Sequence, residues 1–193
     1  MEKEILGSGE GIRAVPRSIP ALCVALSLLF SACVSGGGDT PPACVVDIDG
    51  TLTGPTPPGV PDKFMVLEEG RQTLWRIHRR GVAIFYLTAR PILSLEDTRL
   101  RQVEYDYPPG EIIMKEDGME DTKGYKIRMI RRIQESHRVV FGIGDTEIDM
   151  EAYAACGITA LHLKPSSNQT WIDLRPRIED LLQTSASPAA GGE

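Results

Sequence analysis

A chain of 193 residues has room for one domain and its appendages. With 41% hydrophobic and 25% charged residues it can bury a core, which excludes a wholly disordered polymer. A net charge of −6 excludes a protein that grips nucleic acid by bulk electrostatics, and no nucleic-acid partner is expected.

The N-terminus differs in kind from the rest. Arg13 and Arg17 precede an uncharged segment, residues 18–38, whose apolar centre is residues 21–30. That centre is shorter than the roughly 20 apolar residues a spanning helix needs. Basic residues, a short apolar stretch and then small residues are the pattern of a secretory signal. Its end, Leu29-Phe30-Ser31-Ala32-Cys33, resembles the lipobox of bacterial lipoproteins, with Phe30 in place of the usual Leu. The resemblance implies a signal over residues 1–33, lipidation at Cys33, and a domain held to the bacterial membrane, facing the periplasm or the exterior. The Gly- and Pro-rich stretch 34–43 then reads as a flexible tether. Cys44 and Cys156 remain for the mature domain and are expected to be buried separately rather than paired.

From Cys44 onward strand-like and helix-like segments alternate. Apolar runs at 43–48, 82–87, 112–114, 139–143 and 159–163 predict five strands, and helical patterns cover 62–80, 94–104, 123–135, 147–155 and 171–183. Ser94 with Asp97, and Thr146 with Asp149, have the spacing of capping boxes. Alternation of this kind predicts a Rossmann-like α/β domain over 44–184, its mainly parallel sheet covered by helices on both faces. Residues 185–193 are small and polar and predict a disordered tail. Such sheets bind ligands at the carboxyl ends of their strands.

Three of those ends carry unusual residues. The first strand runs into Asp47-Ile48-Asp49-Gly50-Thr51, where residues two apart share a side and both carboxylates can converge. Two anions at the end of an apolar strand need a cation or a shared proton; alternatively Asp49-Gly50 is a simple turn. The second strand ends in Thr88-Ala89-Arg90, where a hydroxyl and backbone N–H groups could cradle an oxyanion. The fourth runs into Gly144-Asp145-Thr146-Glu147-Ile148-Asp149, with Asp149 also suited to cap the next helix. Lys126 stands near the start of the helix leading into that strand, with Lys123 and Lys115 as local competitors.

Together Asp47-Ile48-Asp49-Gly50-Thr51, Thr88, Lys126 and Gly144-Asp145-Thr146-Glu147-Ile148-Asp149 resemble, in order, the four motifs of the haloacid dehalogenase superfamily. The resemblance implies a phosphotransfer site. Asp47 would be the nucleophile and Asp49 the acid/base. Thr88, Ala89 and Lys126 would hold the phosphoryl group, and Mg²⁺ would be bound by Asp47, the Asp49 carbonyl, Asp145 and Asp149. The intervals 53–80 and 90–123 leave no room for a cap domain. Finer wording, in Tyr86-Leu87-Thr88-Ala89-Arg90-Pro91, Gly124-Tyr125-Lys126-Ile127 and Asp149-Met150-Glu151-Ala152-Tyr153, resembles the catalytic lobe of lipins, which are Mg²⁺-dependent phosphatidate phosphatases. Lipins tend to have Asn where Asp145 stands. This likeness implies a phosphomonoester hydrolase with phosphatidate as candidate substrate and Arg90 as candidate headgroup contact. The alternatives are a broad-specificity periplasmic acid phosphatase for nucleotides or sugar phosphates, and a catalytically silent phospholipid-binding module.

Overall fold

The computed structural model describes residues 40–54, 65–116 and 121–186. The expected signal, its candidate lipidation site Cys33, most of the expected tether and the expected tail beyond Ala186 lie outside these residues. Strand β1, Pro42–Val46, begins the fold, so the last two residues of the expected tether pair with Arg138 and Val139. It is followed by a short antiparallel pair, β2 (Thr53–Gly54) and β3 (Met65–Val66). Then come α1 (Glu68–Arg79), β4 (Ala83–Pro91), a 3-10 turn (Ile92–Ser94), α2 (Leu95–Glu104) and β5 (Glu111–Lys115). The chain continues through α3 (Thr122–Gln134), β6 (Arg138–Gly144), α4 (Glu147–Ala155), β7 (Thr159–His162) and α5 (Asn168–Ala186).

The main sheet has the order β5-β4-β1-β6-β7, and every pairing in it is parallel. From β1 the chain builds outward through β4 to β5, then crosses back to place β6 on the other side of β1. The order therefore reverses between β1 and β6, and a ligand crevice is expected beyond their carboxyl ends. The inner strands β1, β4 and β6, buried on both faces over most of their length, read as continuous apolar runs. Alternate residues of β1 feed two cores: Cys44 and Val46 face Leu74, Ile77, Trp171 and Ile178 of α1 and α5, and Ala43 and Val45 face Tyr125, Ile130 and Tyr153 of α3 and α4. Cys44 and Cys156 are both free thiols, as expected.

The helices follow their local chemistry. In α1, Gly70, Thr73, Leu74 and Ile77 form the buried stripe, while Glu68 and Glu69 open the helix and His78 and Arg79 close it, matching its dipole. The predicted start at residue 62 is too early: Met65 and Val66 pair with Gly54 and Thr53, and Leu67 donates its N–H to the Leu52 carbonyl at 3.0 Å. The Thr146–Asp149 capping box is present in full. The Ser94–Asp97 box is absent because Ser94 belongs to the 3-10 turn and its hydroxyl donates to the Pro91 carbonyl at 2.8 Å. Helix α5 extends two residues into the stretch expected to be tail. Among the described residues, no helix is long and apolar enough to cross a membrane.

Candidate active site

β1 ends at Val46, and the Asp47 N–H still donates to the Ile143 carbonyl of β6 at 2.9 Å. The backbone then turns, with the Leu52 N–H on the Ile48 carbonyl and Gly50 at φ 74°. A Cβ on Gly50 would lie 2.2 Å from an Asp145 carboxylate oxygen, so only glycine permits this approach. Asp47 and Asp145 thereby share the crevice between β1 and β6. Gly144 has the same function one residue earlier, since its Cβ would fall 2.5 Å from the Cβ of Asp149.

Lys126 is 4% exposed and donates to Asp47 Oδ1 at 2.8 Å and to Asp149 Oδ1. It belongs to the buried stripe Tyr125, Lys126, Met129, Ile130 and Ile133 of α3, a helix capped by the Asp121 carboxylate on the Gly124 N–H. Lys123 is exposed and pairs with Glu151, so of these two helix residues it is Lys126 that reaches the carboxylates. The second oxygen of Asp149 accepts from the Thr146 hydroxyl at 2.6 Å, so this carboxylate caps α4 and also pairs with Lys126. Thr51 donates to Asp145 Oδ1 at 3.2 Å.

Burial raises the Asp47 carboxyl to about 7, against the lowering effect of Lys126 and with Asp149 and Asp145 adding to the rise. Burial also raises Asp145, partly opposed by Thr51. For Lys126 burial alone would favour the neutral amine, but Asp47 and Asp149 outweigh it and hold the ammonium above its usual range. Three carboxylates thus face one ammonium, an excess of negative charge that a cation would offset. Asp47, Asp145 and Asp149 can each present a ligand atom within 4.8 Å of the others. An all-carboxylate donor set of this kind fits Mg²⁺.

The Asp49 side chain turns the other way. Its Oδ2 accepts from Thr88 Oγ at 3.2 Å and from Arg90 Nε at 2.9 Å, and its Oδ1 accepts from Arg90 Nη2 at 2.6 Å. The Arg90 N–H in turn donates to the Thr88 hydroxyl at 3.2 Å, closing a ring of Asp49, Thr88 and Arg90. The register of β4 against β5 shifts between Thr88 and Pro91, placing Ala89 and Arg90 in the irregular stretch. The structure thus groups Asp47, Lys126, Asp145 and Asp149 on one side and Asp49, Thr88 and Arg90 on the other. Sequence reasoning missed Thr51, His162 and Trp171. His162 lies 3.0 Å from the Asp145 carbonyl and Trp171 donates to the Thr51 carbonyl at 3.0 Å, so both fix the loops that carry the carboxylates.

Similar folds are found among solved structures. A chain of the Pnkp1/Rnl/Hen1 RNA repair complex matches with TM-score 0.56 at 18% identity, over 66% of this chain and 44% of that one. D,D-heptose 1,7-bisphosphate phosphatase from B. bronchiseptica, complexed with magnesium and phosphate, matches with TM-score 0.53 at 17% identity, over 75% of this chain and 99% of that one. The HAD domain of the effector protein Lem4 from Legionella pneumophila matches with TM-score 0.55 at 14% identity, over 77% and 100%. The chain spans about half the length of the RNA repair chains it matches, 44% and 56%. No curated protein matches it.

Sheet order and neighbours show a fold like that of the HAD domain and the heptose bisphosphate phosphatase, with no cap domain among the described residues. More narrowly, the chain belongs to the family of the PITM 1-3 LNS2 domain, whose model matches residues 44–163.

Proposed function

We propose that the domain is a Mg²⁺-dependent phosphomonoester hydrolase working through an aspartyl-phosphate. One observation carries this reading: Asp47, Asp145, Asp149 and Lys126 meet at the point where the sheet order reverses. Asp47 would attack phosphorus, forming a new P–O bond as the ester P–O bond breaks. Asp49 would give its proton to the departing oxygen and then take one from the water that cleaves the aspartyl-phosphate, returning Asp47 and phosphate. Lys126, Thr88 and the Ala89 amide would hold the phosphoryl oxygens as charge develops. Bound by Asp47, Asp145 and Asp149, with the Asp49 carbonyl as a further ligand, Mg²⁺ would neutralise negative charge on the transferring group.

Phosphatidate is the leading substrate, supported by family membership and by the absence of a cap over the site among the described residues. Purified protein assayed on micellar phosphatidate and on a panel of nucleotides and sugar phosphates tests this. Turnover confined to the soluble esters returns the periplasmic acid phosphatase reading, and no turnover at all returns the silent phospholipid-binding module. By the same reading Cys33 anchors the domain to the bacterial envelope, supported by the lipobox-like Leu29-Phe30-Ser31-Ala32-Cys33. Radiolabelled palmitate should enter the protein and be lost in Cys33→Ser.

A further inference from the structure

Strand β5 stands at one edge of the main sheet, and among the described residues no strand pairs with its outer side. Such an edge presents a row of N–H and C=O groups to any strand that can lie along it. Pro108 and Pro109 keep the strand from extending upstream, so the free length is Glu111-Ile112-Ile113-Met114-Lys115. Beside it runs an open groove of about 950 Å³, bordered by β5 and by α3. Glu111, Glu116 and Glu135 line this groove together with Arg128, Arg131 and Arg132. A chain of net charge −6 repels its own copies in bulk, but the acids and bases of this face balance.

The order of residues along β5 decides what pairs with it. We propose that a second copy of this chain does, β5 against β5 in antiparallel register about a two-fold axis at Ile113, so that two five-stranded sheets become one. This is the symmetric register that pairs every residue of the strand. It sets Ile113 against its own copy, Ile112 against Met114, and Glu111 against Lys115 at two symmetric places. Glu111, Ile113 and Lys115 share one side of the strand, the side on which Ile113 packs against the core beneath α3. Charges on an edge strand ordinarily deter pairing, but here each meets its opposite. Among the described residues neither Glu111 nor Lys115 belongs to an ion pair within the chain. Centring the register on Ile112 or Met114 instead would lose both charge pairs. A nucleic acid or an acidic peptide would gain little from a groove of balanced charge, whereas an identical strand complements it. The axis is perpendicular to the sheet, so the two active-site crevices open at opposite ends and neither is covered.

Sedimentation equilibrium of the whole chain over a dilution series tests the pairing, and a reversible monomer–dimer equilibrium is expected. Glu111→Lys and Lys115→Glu each set like charges against one another at both symmetric places, and each should raise the dimer Kd about fivefold or more. The double variant Glu111→Lys/Lys115→Glu restores opposite charges in the same register and should return the Kd to within about twofold of the parent. An unchanged far-ultraviolet spectrum and cooperative melting establish that each variant is folded. A parent chain that stays monomeric at every concentration overturns the proposal. So does a dimer that the single reversals leave unchanged, or one that the double variant fails to restore.

Discussion

The guanidinium of Arg90 grips both carboxylate oxygens of Asp49, through Nε at 2.9 Å and Nη2 at 2.6 Å. A planar fork of this kind fixes orientation as well as charge, and lysine cannot reproduce it. Asp49 has a side chain about half exposed, so without Arg90 it would sample several rotamers. Arg90→Ala should therefore lower kcat at least about tenfold, a fraction of the 10²–10⁴ that general acid–base catalysis contributes. KM should move little, and Arg90→Lys should recover only part of kcat. Steady-state kinetics on one soluble phosphomonoester decide it. A large rise in KM with kcat intact would instead make Arg90 a direct contact of the substrate.

Asp47→Asn removes the attacking oxygen while keeping the shape of the side chain. Turnover should fall by roughly four orders of magnitude or more, on the scale seen when a nucleophile is deleted. Turnover that survives the change would refute Asp47 as nucleophile.

Lys126→Ala would leave Asp47 and Asp149 buried without their ammonium. Removing one partner of such a group costs about 3–5 kcal/mol because the remaining charge is stranded. Urea unfolding should show a loss of that size without metal, and added Mg²⁺ should restore part of it by taking over the charge. A loss below about 1 kcal/mol, the range of surface pairs, would mean that Lys126 is not balancing buried carboxylates.

Much of this site was legible because the elements carrying it announce themselves locally. The strands are apolar runs, and the residues following β1, β4 and β6 carry the carboxylates and the hydroxyl that the topology brings together. Lys126 could also have been chosen over Lys123 and Lys115, since it alone falls on the stripe with Met129, Ile130 and Ile133. What escaped reading has no local signal. The Arg90–Asp49 pair joins residues 41 apart, and β2 and β3 are too short to show any period. Trp171 and His162 act on backbone carbonyls, so their residue types alone say nothing of the site. The two Ser/Thr-x-x-Asp patterns are equivalent on paper. Only Thr146 caps a helix, because Ser94 is already within a turn whose carbonyl takes its hydroxyl.

Gly50→Ala should separate metal binding from folding. The new methyl would meet the Asp145 carboxylate at 2.2 Å on a backbone held at φ 74°. Asp145 has room to swing towards solvent, being only partly buried, so the domain should still fold with a modest loss of stability. The metal should suffer more. A displaced ligand should cost at least the 10–100-fold in affinity that disturbing the groups around a metal site costs, measured by Mg²⁺ titration. Unchanged affinity would remove Asp145 from the metal site.

Proton and metal compete for Asp47. Its folded-state value of about 7 lies above the ordinary carboxyl range, near 3.9, because burial penalises the charged form. In metal-free protein the folded state therefore holds this proton across the window from about pH 4 to about pH 7, where the unfolded chain has released it. More protons bound in the folded state means that the contribution of Asp47 is favourable at the acidic end and is lost as pH rises through about 7. Melting in the presence of chelator should show this fall, and Asp47→Asn should lack it. Magnesium reverses the trend, since its ligands must be ionised. Its affinity should climb up to about tenfold per pH unit below about pH 7 and level off above it. A metal affinity flat between mildly acidic and neutral pH would place the ion on groups other than Asp47.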